Sequence, residues 1–301
     1  MIINRENLDT LASGFQDAFT RGLTAAQART RIEDVAVELD SMTAQEVYAW
    51  LKQFPQMREW LGERVIHNVE QEGQVVRNRD YELAIGVDRN HIEDDKYGVY
   101  GQLFAGMGSS VSGHLAELVF GSLKDGFDQP CYDGQNFFDT DHPVAGGTAS
   151  NAGFPSDRNN DMTPWFLCDL GMSFTRPIIL QMRKRADRIV RRDRDEDANV
   201  FDRKEYLYGV DGRYATAYGF WQGSYGATVE LNAANFKAGF AAIEGQKGDQ
   251  GRPLGLSPTH LIVPPSLREA GMKLVNANLV DQGASNVWSG SVELIVSPWL
   301  A

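Results

Sequence analysis

The sequence predicts an α+β fold, and three observations carry that reading. Apolar residues recur at helical spacing near the N-terminus and again over 93–125, with a stretch of strict alternation between them. The second half mixes short strand-like runs with two further helical patterns, without the regular strand–helix alternation of a parallel sheet. The composition, 42% hydrophobic and 23% charged over 301 residues, is globular and large enough for one or two domains.

Residues 7–23 read as an amphipathic helix, with Leu8, Leu11, Phe15, Phe19 and Leu23 on one stripe. The stripe packs either on the chain's own core or, as a terminal arm, on another subunit. Residues 46–67 hold Trp50, Phe54 and Trp60 around Pro55. From 64 to 92 polar and apolar residues alternate on both sides of Gly73, through Val65, Val69, Val75, Tyr81, Leu83, Ile85 and Val87. This predicts a long two-stranded ribbon. It is too charged to bury a core of its own, and an isolated hairpin is marginal in water, so it is expected to rest on something else.

Over 93–125, Tyr100, Leu103, Phe104, Met107, Val111, Leu115, Leu118, Val119 and Leu123 follow the 3.6 period of a long helix. Glu93, Asp94 and Asp95 are expected in its first turn and Lys124 in its last, matching the helix dipole. Gly106, Gly108, Ser109, Ser110, Ser112 and Gly113 weaken it intrinsically and leave room for another backbone to pass close. Residues 97–116 carry no formal charge, but half of them are Gly, Ser, Gln or His, which excludes a membrane span.

Residues 126–163 are loop-rich, and the Gly, Ser, Asn and Pro content of 145–163 marks a flexible connection. Strands follow at TPWFLCDL and RPIILQMRKR, then a strand-like region over 205–227 flanking a turn at Asp211–Gly212. A helix is predicted over 233–244 and a strand at His260–Val263. A second helix should open on a capping box of Ser266 and Glu269, and a last strand spans 291–296.

The formal net charge of −12 argues against a general nucleic-acid binder, whose footprint is a basic face. Two cysteines, Cys131 and Cys168, exclude a disulfide-stapled fold and suit a reducing cytoplasm. The N-terminus lacks the apolar core of an export signal. Catalytic chemistry has one candidate stretch, CYDGQNFFDTDHP, with Cys131, Asp133, Asp139, Asp141 and His142. Its spacing fits no Cys/His zinc pattern, and a structural loop with Asx turns is the better reading. There is no P-loop, no G-x-G-x-x-G after a strand and no G-x-S-x-G elbow. Neither a catalytic residue nor a metal or cofactor site is therefore expected.

One charge feature stands out. Residues 183–194 carry seven basic and two acidic side chains, net +5, which leaves −17 for the rest of the chain. The strip is either a solvated face with local ion pairs or a basic surface meeting an acidic one on another copy or packaged nucleic acid.

Five long strings resemble, in order and over nearly the whole chain, the major head subunit of Mu-like tailed bacteriophages, the gpT family. They are WLGERVIHNVEQEGQVVRNRDYELAIGVDRNHIEDDKYGVY (60–100), LKDGFDQPCYDGQNFFDTDHP (123–143), PWFLCDLGMSFTRPIILQMRKR (164–185), EYLYGVDGRYATAYGFWQ (205–222) and PTHLIVPPSLREAGMKLVNANL (258–279). The resemblance implies the Hong Kong 97 (Johnson) capsid fold and a structural shell protein, with an encapsulin-like protein compartment as the alternative. It divides the chain into an N-terminal arm (1–55), an extended loop (56–92), a peripheral domain with the spine helix (93–130 and 196–228) and an axial domain (131–195 and 229–301). The partners implied are copies of the chain in hexamers and pentamers, with scaffold, portal and decoration proteins. The shell would enclose double-stranded DNA without sequence-specific binding, assemble in the bacterial cytoplasm and contact no membrane. Candidate inter-subunit residues are Phe15, Phe19, Arg64, Arg77, Arg79, Arg191 and Arg192. Deleting 1–23 is expected to leave the core folded. The order of blocks, with 163–228 ahead of 229–301, reads as a circular permutation within the axial domain.

The namesake phage of that fold crosslinks an extended-loop lysine to an asparagine of another subunit. Between Gly62 and Ile92 this chain has no lysine; its Arg64, Arg77, Arg79 and Arg89 stay protonated and supply no amine nucleophile. Assembled protein should run in denaturing gels as single chains of 33.4 kDa. A ladder of covalent oligomers would contradict this.

Overall fold

The computed structural model describes residues 4–48, 74–94, 97–144, 147–157, 162–248, 251–279 and 283–301. The chain opens with α1 (Arg5–Thr30), whose first turn is capped by the Asn4 side chain accepting from the Asn7 amide at 2.8 Å. A left-handed Arg31 then turns it into the short α2 (Ile32–Val35) and β1 (Ala36–Asp40). β2 (Gln45–Tyr48) and β3 (Gln74–Arg77) pair with each other, and β4 (Arg79–Asp88) leads through α3 (Arg89–Glu93) into the long α4 (Tyr97–Asp125).

The middle of the chain carries β5 (His142–Val144), β6 (Gly147–Ala149), β7 (Ala152–Gly153), β8 (Trp165–Cys168), β9 (Ile178–Lys184), β10 (Val190–Arg192), α5 (Ala198–Arg203) and β11 (Glu205–Tyr218). β12 (Ser224–Ala227), α6 (Ala233–Glu244), β13 (His260–Val263), α7 (Arg268–Val275) and β14 (Glu293–Val296) complete it.

Two five-stranded sheets organise these elements. The first runs β1-β9-β11-β10, with β4 on the other edge of β11; the second runs β14-β13-β8-β12-β7. α4 serves both layers. Its N-terminal half buries Phe104, Met107 and Val111 against α1 and against Tyr206, Tyr208 and Val210 of β11. Its C-terminal half buries Leu115, Val119, Phe120 and Leu123 with Phe137, Phe138, Phe166 and Ile262. The second sheet is covered on both faces. Phe166 and Ile262 face α4, while Trp165, Leu167, Leu261 and Val263 join Phe236, Ile243, Leu274 and Val275 of α6 and α7. Burial on both faces explains why WFLC and HLIV are continuous apolar runs.

The stripe on 7–23 packs on the chain's own core. Phe15 stacks on Phe104 with ring centroids 4.3 Å apart, and both meet Tyr208 edge-on. Phe15 and Phe19, candidates for an inter-subunit contact, are instead buried in the subunit's own core. Leu8, Phe15, Ala18 and Phe19 belong to this core, so deleting 1–23 should destabilise the remainder, contrary to the expectation from the sequence.

Other expectations are corrected as well. Gly73 and residues 64–72 of the ribbon lie outside the described residues. Of the rest, 74–77 pairs with 45–48, and 79–88 pairs with β11 over ten positions, as an ordinary sheet member. Alternation identifies a strand but not its partner. Asp211–Gly212 is not a turn: Gly212 pairs with Tyr81 inside β11, and the irregularity there is a bulge at Arg213/Tyr214, because long-range pairing overrides a local turn preference. Glu93 closes α3, Asp94 caps it and Asp95 lies outside the described residues, so α4 begins without an acid in its first turn. Ser266 lies in a single 3-10 turn started by Pro265, and the capping box does not form. By sheet pairing, 178–192 lies in the first sheet and 224–227 in the second, and residues of 5–40 contribute to the buried cores around α4.

α1 and α4 cross closely because two glycines let them. A Cβ on Gly22 would collide with the Ala105 carbonyl, and one on Gly108 with the Phe19 carbonyl, whereas one on Gly106 would meet nothing within 4 Å. Gly108→Ala should therefore destabilise the isolated subunit by about 1–3 kcal/mol through overpacking. Gly106→Ala should stabilise it by about 0.5–1 kcal/mol, because an unneeded helix glycine is replaced. Denaturant melts of the two variants should move in opposite directions.

Candidate functional site

The loop that carried the catalytic residue types folds around one side chain. A hairpin turn at Gly134, φ +92°, places Asp133 between Cys131 and His142. The Cys131 thiol donates to Asp133 Oδ1 at 3.1 Å, and His142 Nδ1 lies 2.7 Å from Asp133 Oδ2. His142 Nε2 lies 3.1 Å from Asn151 Oδ1, and the ring stacks on Trp221 at 3.9 Å. Asn151 is itself fixed, its amide donating to the Phe137 and Trp221 carbonyls. Among the described residues, Cys131, Asp133 and His142 are the one group of three such side chains with donor atoms within 4.8 Å of one another. Asp139 and Asp141 stand outside it.

The order is wrong for nucleophilic catalysis. A thiol needs a base beside it, with an acid behind the base. Here the acid lies between. Burial first, and then the Asp133 charge, push the Cys131 thiol well above its ordinary value, the opposite of what a nucleophilic cysteine needs. Burial pushes the Asp133 carboxyl up as well, but the hydrogen bonds from His142 and Cys131 outweigh it and hold the carboxyl below its usual value.

The remaining candidates lie on surfaces. β2 and β3 form a two-stranded base clamped to the first sheet by Gln181, which is 0% exposed. Its Oε1 accepts from the Tyr48 hydroxyl at 2.9 Å, and its Nε2 donates to the Val76 carbonyl at 3.3 Å and to Asn78 Oδ1 at 2.8 Å. The turn before β2 is gathered by Glu46, whose Oε1 accepts from the Met42 and Thr43 amides and the Ser41 hydroxyl. Between this base, α4 and β11 runs a groove of about 1070 Å³ with Arg77, Arg79, Tyr81, Leu118, Ser122 and Asp125 on its walls. Arg77 and Arg79 are exposed and have no side-chain partner among the described residues. Arg64 lies outside the described residues.

The basic strip divides in two. Arg183 donates to the Ser41 carbonyl, Lys184 pairs with Asp211, and Arg185 pairs with Glu38 and Asp40. Arg191 pairs with Asp9 of α1 and with Asp193, so it ties β10 to α1 within the chain. Arg188, Arg192 and Arg194 are exposed with no ion pair among the described residues, near Val190 and Phe201, the latter 84% exposed. Gln181 and Glu46 escaped sequence reasoning. The one available signal was a glutamine inside the apolar run PIILQM.

The model of the family described as Mu-like prophage major head subunit gpT matches residues 8–300. The chain is 35% identical over 309 residues to the major capsid protein of Escherichia phage Mu, covering the whole of both. Among solved structures, it resembles the subunit of the procapsid of bacteriophage JBD30. There the identity is 37%, the TM-score 0.84, and coverage 99% of this chain and 100% of that one. It also resembles the subunit of the JBD30 capsid decorated with minor capsid protein trimers, at 32% identity and TM-score 0.72 over 89% of this chain and 90% of that one.

Backbone amides of Thr43 and Met42, with the Ser41 hydroxyl, hold the Glu46 carboxyl below its ordinary 4.5. The folded state thus binds that proton more weakly than the unfolded chain. The stabilisation is complete above 4.5 and is lost as pH falls through the lower folded value. The gap in melting temperature between wild type and Glu46→Gln should be widest at neutral pH and close in acid. A gap that widened on acidification would show that the turn does not depend on the carboxylate.

Proposed function

The chain belongs to the Mu-like prophage major head subunit gpT family, and from that membership we propose that it serves as a major capsid protein. Copies of it build the icosahedral head of a Mu-like tailed phage around double-stranded DNA. The observation that carries this is the end-to-end match to a capsid protein in both sequence and fold. A shell enclosing protein cargo is not favoured by those matches. The subunit acts structurally rather than as an enzyme, in keeping with the inverted order of Cys131, Asp133 and His142. No helix among the described residues is long and apolar enough to cross a membrane.

In the Hong Kong 97 arrangement, α4 is the spine helix, the β2–β3 pair is the base of the extended loop, the first sheet belongs to the peripheral domain, and the second sheet with α6 and α7 forms the axial domain. A permuted axial order is supported by one register. Ile262 pairs with Phe166 on one side and Ile295 on the other, so β14 finishes at the end of the sheet where β8 starts. Hexamers and pentamers would form through surfaces the subunit leaves open: the groove with Arg77 and Arg79, and the exposed Arg188, Arg192 and Arg194. Arg191 contributes within the subunit first. Scaffold and portal proteins are the further partners in the host cytoplasm, and a decoration protein is another, since the related JBD30 capsid carries minor capsid protein trimers.

Purified alone, the protein should form shells, tubes or capsomers visible by negative-stain electron microscopy. Arg192→Glu should reduce their yield with an unchanged subunit melting temperature. One exposed pair contributes only about 0.2–1 kcal/mol, but a shell repeats each contact many times. Wild-type protein that stayed monomeric at every concentration would contradict the assignment.

A further inference from the structure

We propose that Cys131, Asp133 and His142 form a binding site for a zinc-class divalent cation, at the junction of the 126–143 loop with the second sheet. Thiolate, imidazole and carboxylate are the three ligand types zinc takes from proteins, and a soft sulfur with a nitrogen selects it over calcium or magnesium.

The donor atoms are already gathered. Cys131 Sγ lies 3.1 Å from one oxygen of Asp133, and His142 Nδ1 lies 2.7 Å from the other. A tetrahedral zinc with bonds of about 2.0–2.3 Å keeps neighbouring donors roughly 3.3–3.6 Å apart. The two contacts to Asp133 therefore need to open by only about half an ångström to admit the ion, and all three donor atoms already lie within 4.8 Å of one another.

The surroundings are those of a metal ligand. A histidine that binds through one nitrogen is usually held by a hydrogen bond from the other to a carbonyl or carboxylate oxygen. Asn151 supplies that contact, 3.1 Å from His142 Nε2. Its orientation is not free, because its amide nitrogen donates to two backbone carbonyls, at 2.8 Å to Phe137 and 3.3 Å to Trp221. The carbonyl oxygen must then face the ring, and Nδ1 must face Asp133. Trp221 stacked on the ring prevents it from swinging away.

Access is from the Asp133 side. Its side chain is 11% exposed, against 0% for His142, so the fourth position falls to a water at the carboxylate edge. Binding replaces protons by the ion: the thiol loses the one it shares with Asp133, and Nδ1 loses any it shares with the other carboxylate oxygen. Uptake therefore releases protons. The loop at 131–142, the backbone near Asn151 and the turn at Trp221 would all be joined through one centre.

The test uses the full-length subunit, stripped with a chelator, equilibrated with zinc chloride and passed through a desalting column. Elemental analysis should find about one zinc per chain in wild type and close to none in Cys131→Ser. Cobalt(II) added to stripped wild type should give a thiolate-to-cobalt absorption band that saturates at about one equivalent, a readout independent of how the variant folds. Wild type retaining no zinc, or zinc without the cobalt–thiolate band, would overturn the proposal and leave the cluster as a hydrogen-bonded loop anchor.

Discussion

The first half of the molecule depends on one strand being paired on both edges. β11 is 14 residues long. β4 lies along one edge, while β10 and then β9 lie along the other. β10 pairs through Gly209 and β9 takes over at Arg213, where its first pairs carry a bulge at Arg213/Tyr214. Because β11 spans the layer, its aromatic residues reach both halves of α4. Tyr206 and Tyr208 lie in the core under α1, and Tyr214 and Tyr218 in the core toward the second sheet. The Tyr218 hydroxyl donates to the Ser122 carbonyl at 2.9 Å, and the Ser122 and Thr216 hydroxyls meet at 2.7 Å, so helix and strand are fixed by polar contacts too.

From that constraint follows a division between what a subunit uses for itself and what it leaves for others. α1 and β4, the segments whose patterns suggested free arms, are bound into the subunit's own core and sheet. A salt bridge from Arg31 to Glu293 at 2.5 Å further ties the end of α1 to the final strand. Left outward are, among other surfaces, the groove beside the β2–β3 base and three arginines around β10 that have no ion pair among the described residues. A shell protein needs this separation. The subunit must fold before it meets its neighbours, and contacts repeated across a shell can each be weak.

The sequence made much of this legible, for physical reasons that vary from element to element. α6 was read at its true bounds, Ala233–Glu244, because an apolar 3.6 period lies between a capping asparagine and Gly245. α4 was legible from its stripe, and its small residues did mark a close backbone approach, realised at Gly108. Whose core a stripe faces is not written in the stripe, so α1 read equally well as arm or core. Strand alternation likewise hid the partner of β4. The stretch holding Cys131, Asp133 and His142 was legible, but not which of its five candidate side chains meet, because that is set by the turn at Gly134 and the placement of β5. Gln181 was hidden because a buried polar side chain has meaning only once Tyr48 and Asn78 are placed around it.

Amide hydrogen exchange on the unassembled subunit tests the central claim most directly, that α1 and β4 are structure of the single chain. Protection reports the free energy of local opening, so segments held in the core exchange slowly and free arms exchange at once. The account predicts strong protection in α1 around Phe15–Phe19 and along β4 opposite β11 before any assembly. Rapid exchange of both segments in the subunit, with protection appearing only in assembled particles, would contradict it.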